Sequence, residues 1–260
     1  MCKVIAVSNQ KGGTAKSTSS VNLGIGLVRQ GKRVLIIDCD SQGSLSASLG
    51  VRNPDELEMA LPNIIGKIIN DEELDSQEGI IHHEEGVDLM PCNIQLAGIE
   101  QTLMNVMKRE YILKHYIDSV AGNYDYIILD CMPSLGMVTI NALTAADSVL
   151  IPCQPSFLPI VGLEQLIVTI GKVKRHLNPE IRIEGVLFTI VDSRTNFSKD
   201  IMKLLKKSYG DNIRFFKEGI PKSVRAEEIA AEGVSIFKHD PRGKVAFAYD
   251  SLVKEVLDNE

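Results

Sequence analysis

No run of eighteen apolar residues occurs in this 260-residue chain, so a helix crossing a membrane is not expected. No leader is expected either, because the N-terminus passes straight into a β-branched run. Cysteine is scarce. The five (Cys2, Cys39, Cys92, Cys131, Cys153) are odd in number and include no C-x-x-C pair. Four of them end apolar, strand-like runs, which points to buried reduced thiols in a cytosolic protein and not to a disulfide framework. An excess of positive charge is also lacking. The formal net charge is −6, which taken alone argues against a nucleic-acid partner.

The distribution of charge reverses that last exclusion. Residues 195–225 hold eight Lys/Arg against three Asp/Glu, a local +5 beside −11 for the remainder. An acidic body with one basic region is more informative than the total. A hydrophobic content of 44% suits a well-packed core, and the length allows one large α/β domain or two small ones.

The most informative stretch is Lys11-Gly12-Gly13-Thr14-Ala15-Lys16-Ser17-Thr18. It follows a buried-strand pattern at 3–8 (KVIAVS) and precedes a helical pattern at 19–29. Strand, glycine loop and helix together form the setting of a phosphate-binding loop. Gly12 and Gly13 let the backbone turn its N–H groups inward, and the helix N-terminus adds its positive dipole end. Lys16 is placed to reach the β- and γ-phosphates, and Ser17 to offer a hydroxyl to Mg²⁺. The competing reading is a lysine-rich hairpin or helix start.

Further carboxylates stand at strand ends, where ligands collect in a parallel sheet. A run at 33–39 (RVLIIDC) leads to Asp38 and Asp40, followed by Ser41-Gln42-Gly43. A run at 124–130 (YDYIILD) ends in Asp130, the pattern of a Walker B acid that reaches Mg²⁺ directly or through water. Cys131-Met132-Pro133-Ser134-Leu135-Gly136 follows it.

These motifs resemble the deviant Walker A ATPases, the ParA/MinD/nitrogenase iron-protein family, whose loop reads K-G-G-x-G-K-[ST]. The resemblance spans nearly the whole chain. It implies that Lys11 crosses a dimer interface to the partner's nucleotide, that Asp40 positions the attacking water, and that Asp38 supports the metal's water shell. It also implies that 132–136 form a second switch and that Pro221, within Ile220-Pro221-Lys222-Ser223-Val224-Arg225, lies against adenine. The chain departs from the family at three points. Ala15 replaces a glycine, acceptable with a negative φ and its Cβ turned from the phosphates. Met132 replaces a proline, and Ser156 a glutamate. Asp192-Ser193-Arg194-Thr195-Asn196 resembles a segment near the base and the dimer face.

The remaining strands are expected at 86–91, 148–153 and 184–190. Helices are expected around 57–70, 96–120, from about 162, at 198–208 and at 244–257. The core stripes include Leu103, Val106, Met107 and Leu113 in one helix and Ile201, Leu204 and Leu205 in another. Asp250, Glu255 and Asp258 are expected on the outer side of the last helix. The fold class is thus α/β, a mostly parallel sheet with helices on both faces, as one domain over 1–260 with no N-terminal helix-turn-helix unit. The cofactors are ATP and Mg²⁺.

Among the relatives, the ParA branch fits best. It implies weak ATP hydrolysis, an ATP-dependent homodimer, non-specific duplex DNA, a ParB-type centromere-binding partner and a cytoplasmic, nucleoid-associated location. Lys199, Lys203, Lys206, Lys207, Arg214, Lys217, Lys222 and Arg225 are the candidate DNA contacts, since a sequence-independent phosphate grip needs only clustered cations. The alternatives are a MinD-like membrane-positioning ATPase, which the acidic tail disfavours, an iron-protein-like reductase using Cys92 and Cys131, and a nucleotide-gated binding module with negligible turnover.

Overall fold

The computed structural model describes residues 2–192 and 194–259, with the backbone alone described at 157–161. The strands form one seven-stranded sheet in the order β3-β4-β2-β5-β1-β6-β7. Their ranges are β1 Lys3–Val7, β2 Val34–Cys39, β3 Ile81–His82, β4 Asp88–Met90, β5 Tyr126–Cys131, β6 Ser148–Cys153 and β7 Arg182–Phe188. Six of them are parallel, and β3 joins β4 as an antiparallel edge. β2, β5 and β6 are buried along their whole length, as a parallel sheet covered on both faces requires.

The helices are α1 Lys16–Arg29, α2 Ser44–Ser48, α3 Leu61–Ile69, α4 Leu96–Leu103, α5 Ile112–Val120, α6 Met137–Ala145, α7 Phe157–His176, α8 Asn196–Tyr209, α9 Arg225–Glu232, α10 Ile236–His239 and α11 Lys244–Leu257. Two cores sandwich the sheet. One lies beneath α3 to α8 and is built on Leu35, Ile37, Ile127 and Leu129, with Tyr116, Leu166 and Leu205 from the helices. The other lies beneath α1 and α9 to α11, where Leu23, Leu27, Tyr249 and Leu252 meet Ile36 and Ile128. Neighbouring residues of β2 and β5 feed opposite cores, following the period-two alternation of a strand. Gly24 lets α1 approach the sheet, since a Cβ there would lie 2.6 Å from Ile36 Cδ1.

The elements read from the sequence are present, with several corrections. The single helix expected over 96–120 is broken. Lys108 takes a left-handed conformation (φ 54°), and the Asn141 side chain donates to Arg109 O and accepts from Leu113 N. Tertiary hydrogen bonds therefore fasten a restart that periodicity does not reveal. Met107, expected in the core, stands in that break and is 89% exposed. The α7 helix begins at Phe157, where Ser156 is still extended, several residues before the expected start. β3, α2, α6, α9 and α10 were not foreseen. Leu204, expected on the buried stripe of α8, is 50% exposed, while Ile201 and Leu205 are buried.

On α11, Val245, Tyr249, Leu252 and Val256 are buried as expected, but Glu255 is buried too (6% exposed) instead of facing outward. The reason is Arg214, whose Nη2 lies 2.9 Å from Glu255 Oε2. Cys39, Cys92, Cys131 and Cys153 are buried free thiols, and Cys2 is half-buried. No helix among the described residues is long and apolar enough to cross a membrane.

Candidate nucleotide site and its basic flank

The C-terminal ends of β1, β2 and β5 bring three motifs together. The register pairs Val7 with Asp130 and Asp38 with Asp130, so the glycine loop opens beside two strand-end carboxylates. Side chains brace the loop itself. Asn9 Nδ2 donates to Pro152 O at 2.6 Å, its Oδ1 accepts from Lys11 N at 3.0 Å, and Thr189 Oγ1 donates to Thr14 O at 2.9 Å. Gly13 is left-handed (φ 70°), and a Cβ at Gly12 or Gly13 would meet nothing within 4 Å. The open side of the loop is therefore a cradle, not a packed turn.

Ala15 overturns the expectation of a negative φ. It sits at φ 59°, ψ 38°, at the N-cap of α1, the left-handed region that costs an L-residue about 1–2 kcal/mol. Strand and helix fix the two ends of the loop, so the residue between them must take the conformation that the missing glycine would adopt freely.

Lys16 is buried and its Nζ donates to Lys11 O at 3.3 Å. Burial pushes its pKa down, and the nearby charge of Asp130 opposes that. Asp130 is buried, accepts from Ser20 Oγ at 2.9 Å and is also bonded by the Ser17 hydroxyl. Burial first, then the Asp38 charge, push it up to about 7. Asp38 accepts from Ser46 N (2.8 Å), Ser46 Oγ (2.7 Å) and Asp40 N (3.0 Å), yet burial raises it to about 6. Asp40 is half-buried and accepts from Gln42 N at 3.0 Å. Two reluctant carboxylates and a reluctant ammonium stand around an open cradle. The first two call for a cation, and the third for an anion.

No group of three or more His, Cys, Asp or Glu among the described residues is arranged to hold a metal ion. The Ser17 hydroxyl beside the Asp130 carboxylate fits Mg²⁺, which takes one or two protein oxygens and completes its shell with phosphate and water. Ser17, with Asp130 and Asp38 acting through water, would hold it here.

Beside the loop lies a cavity of about 360 Å³ lined by Ala15, Thr18, Ile190, Pro221 and residues of α9. The Val191–Pro221 bridge and the hydrogen bond from Val191 N to Ile220 O at 2.9 Å fix Pro221 there. Ile190 is left-handed (φ 53°), an uncommon state for a β-branched residue. Sequence reasoning missed the contribution of α9, because its short alanine- and glutamate-rich pattern carries no loop or metal signal. The segment after β5 begins with Met132 buried and Ser134 N donating to Met132 O at 2.8 Å. Ser193 lies outside the described residues; its neighbour Asp192 accepts from Arg194 at 3.0 Å.

The basic candidates divide. Lys199, Lys203 and Lys207 are exposed on α8, and Lys217 and Lys222 are exposed beyond it. Lys206 Nζ lies 5.9 Å from the centroid of the Phe188 ring. Arg225 Nη1 lies 3.1 Å from Asp240. Arg214 is tied to the body of the protein. Its charge neutralises buried Glu255, and its guanidinium stacks 5.1 Å from the Phe216 centroid.

The sheet order, the loop with its early lysine and the two strand-end acids define a P-loop protein of the deviant Walker A class. A family model described as an AAA domain matches residues 2–183. The chain is 43% identical over 259 residues to the sporulation initiation inhibitor protein Soj of Bacillus subtilis, covering 100% of both chains. It is 34% identical over 261 residues to the chromosome partitioning protein ParA of Caulobacter vibrioides, covering 99% of this chain and 95% of that one. Among solved structures it superposes with a TM-score of 0.86, at 35% identity, on a Mycobacterium smegmatis protein described as cobyrinic acid a,c-diamide synthase with ADP and magnesium, covering 100% of this chain and 95% of that one. The chain belongs to the Soj/ParA family of partitioning ATPases.

Proposed function

We propose that this chain binds ATP with Mg²⁺, hydrolyses it slowly, and uses the cycle to partition DNA. The observation that carries the reading is the meeting of the open Gly12-Gly13 cradle with buried Lys16 and the Ser17–Asp130–Asp38 group. Lys16 neutralises phosphate charge, the loop N–H groups cradle it, and Asp40 orients the attacking water. The water oxygen bonds to the γ-phosphorus as the bond from that phosphorus to the β–γ bridging oxygen breaks, giving ADP, inorganic phosphate and a proton released to solvent. Mg²⁺ supplies charge neutralisation between phosphates.

Lys11 is half-exposed on the loop and is assigned to the nucleotide of a second copy, so ATP controls dimerisation. The exposed lysines of α8, with Lys217 and Lys222, grip duplex DNA without reading sequence. A ParB-type partner accelerates hydrolysis and releases the dimer, in a cytoplasmic, nucleoid-associated cycle. The membrane alternative loses support because α11 buries its apolar stripe against the body. The reductase alternative loses it because Cys92 and Cys131 are buried with thiols pushed up in pKa, Cys131 to about 12. The test is phosphate release and molar mass measured together. ATP should give a dimer and slow turnover, both abolished by Lys16→Ala. Binding without turnover in the presence of DNA and partner would instead make the chain a nucleotide-gated module.

A further inference from the structure

The 360 Å³ cavity has one acidic side chain in its lining, the exposed Glu227 on α9, and one basic one, the exposed Lys222. The other charges of that helix are committed elsewhere. Arg225 pairs with Asp240 at 3.1 Å. Glu228 lies 3.2 Å from His239 Nε2, and Glu232 lies 2.8 Å from His239 Nδ1. Residues 225, 228 and 232 share one face by their spacing of three and four. That face ties α9 to α10 and to the residue that follows it. Ala226, Glu227 and Ala230 are the α9 residues that line the cavity. Among the described residues Glu227 takes no ion pair and no side-chain hydrogen bond.

An ionised carboxylate accepts hydrogen bonds and cannot donate them. Beside a bound triphosphate it is repelled unless a donor of the ligand faces it. The neighbouring Pro221, Ile190 and Ile220 supply flat apolar walls, and a cavity of this size falls at the small end for ligand sites, fitting a base with its sugar. The edge of a purine that distinguishes adenine is its exocyclic 6-amino group, a donor. Guanine and hypoxanthine carry a 6-oxo acceptor there.

We propose that Glu227 is a specificity-determining residue of this cavity, its carboxylate accepting the 6-amino N–H of adenine and repelling a 6-oxo purine. This rests on the nucleotide-site reading above. Two other roles compete and make different predictions. As an acid in the first turn of α9, Glu227 would favour the helix dipole and affect stability without affecting nucleotide choice. As a ribose acceptor, it would discriminate by the 2′-hydroxyl.

The test measures dissociation constants of ATP, ITP and 2′-deoxyATP, each with Mg²⁺, for the full chain and for Glu227→Ala and Glu227→Gln, with thermal melts in parallel. ITP replaces the 6-amino donor of ATP by an oxo acceptor and moves the nearest donor to N1–H, so it reports whether the carboxylate is placed for the 6-amino group itself. The unaltered chain should favour ATP over ITP by about tenfold or more, the scale of one charge-assisted hydrogen bond. Glu227→Ala should bring the two within about twofold. Glu227→Gln, whose amide can donate to a 6-oxo group, should bind ITP better than Glu227→Ala does. The ratio of ATP to 2′-deoxyATP should stay constant throughout. An ATP/ITP ratio unchanged in Glu227→Ala, with or without a lower Tm, overturns the proposal, as does a change confined to 2′-deoxyATP. Failure of the unaltered chain to bind any nucleotide overturns the site reading itself, a separate outcome.

Discussion

Replacing Ala15 by glycine should stabilise the protein, against the usual direction for a helix start. Ala15 is held at φ 59°, ψ 38°, where the methyl group costs about 1–2 kcal/mol. Glycine removes that strain, and its greater freedom in the unfolded chain returns about 0.5–1 kcal/mol in the opposite sense. The balance favours Ala15→Gly by about 0.5–1 kcal/mol, or roughly 1–4 °C in Tm for a domain of this size. Ala15→Val worsens the same clash with a β-branched side chain and should destabilise by about 2 kcal/mol or more. Chemical denaturation at fixed pH, without nucleotide, measures both. Since Ala15 also lines the cavity beside the loop, nucleotide affinity should be followed alongside. A destabilised Ala15→Gly, or a neutral Ala15→Val, would refute the argument that the loop stores strain there.

Asp130 gives a pH prediction. Its pKa is raised from the usual 3.8 to about 7 by burial and by Asp38, so the native state holds a proton that the unfolded chain has released. That contribution is fully present below about pH 4 and is lost as pH rises through 7, up to about 4 kcal/mol. Asp130→Asn should therefore raise the nucleotide-free Tm at pH 8 by about 5 °C while abolishing stabilisation by Mg²⁺-nucleotide; equal melting of both proteins at pH 8 would contradict it. Arg214→Ala should cost about 3–5 kcal/mol by leaving Glu255 buried without its partner, read by urea denaturation. Lys203→Ala should leave stability within about 0.5 kcal/mol but lower the salt slope of DNA binding by about one.

Much of the fold was legible because parallel strands announce themselves as apolar runs, β2 and β5 with an acid followed by cysteine at their ends, and each ligand-bearing motif follows a strand end. Asp38, Asp130 and the glycine loop are neighbours through strand register, which three short motifs are enough to imply. What escaped was decided by tertiary partners. Asn141 breaks the 96–120 helix with hydrogen bonds from another element. Glu255 looks like surface charge until Arg214, 41 residues away, is placed beside it. Arg214 looks like a DNA contact for the same reason, since a sequence lists charges without their neighbours. The helix carrying Glu227 shows no motif, and its place at the base cavity follows from the ion pairs that tie it to α10 and Asp240.

In the proposed cycle, nucleotide state controls a salt-sensitive grip on DNA. The most direct measurement is binding to a random-sequence duplex with ATP, with ADP and without nucleotide, across a salt series. ATP-dependent binding that weakens steeply with salt, and that Lys11→Ala abolishes, is the predicted result. Equal binding in all three nucleotide states, or binding indifferent to Lys11, would contradict it.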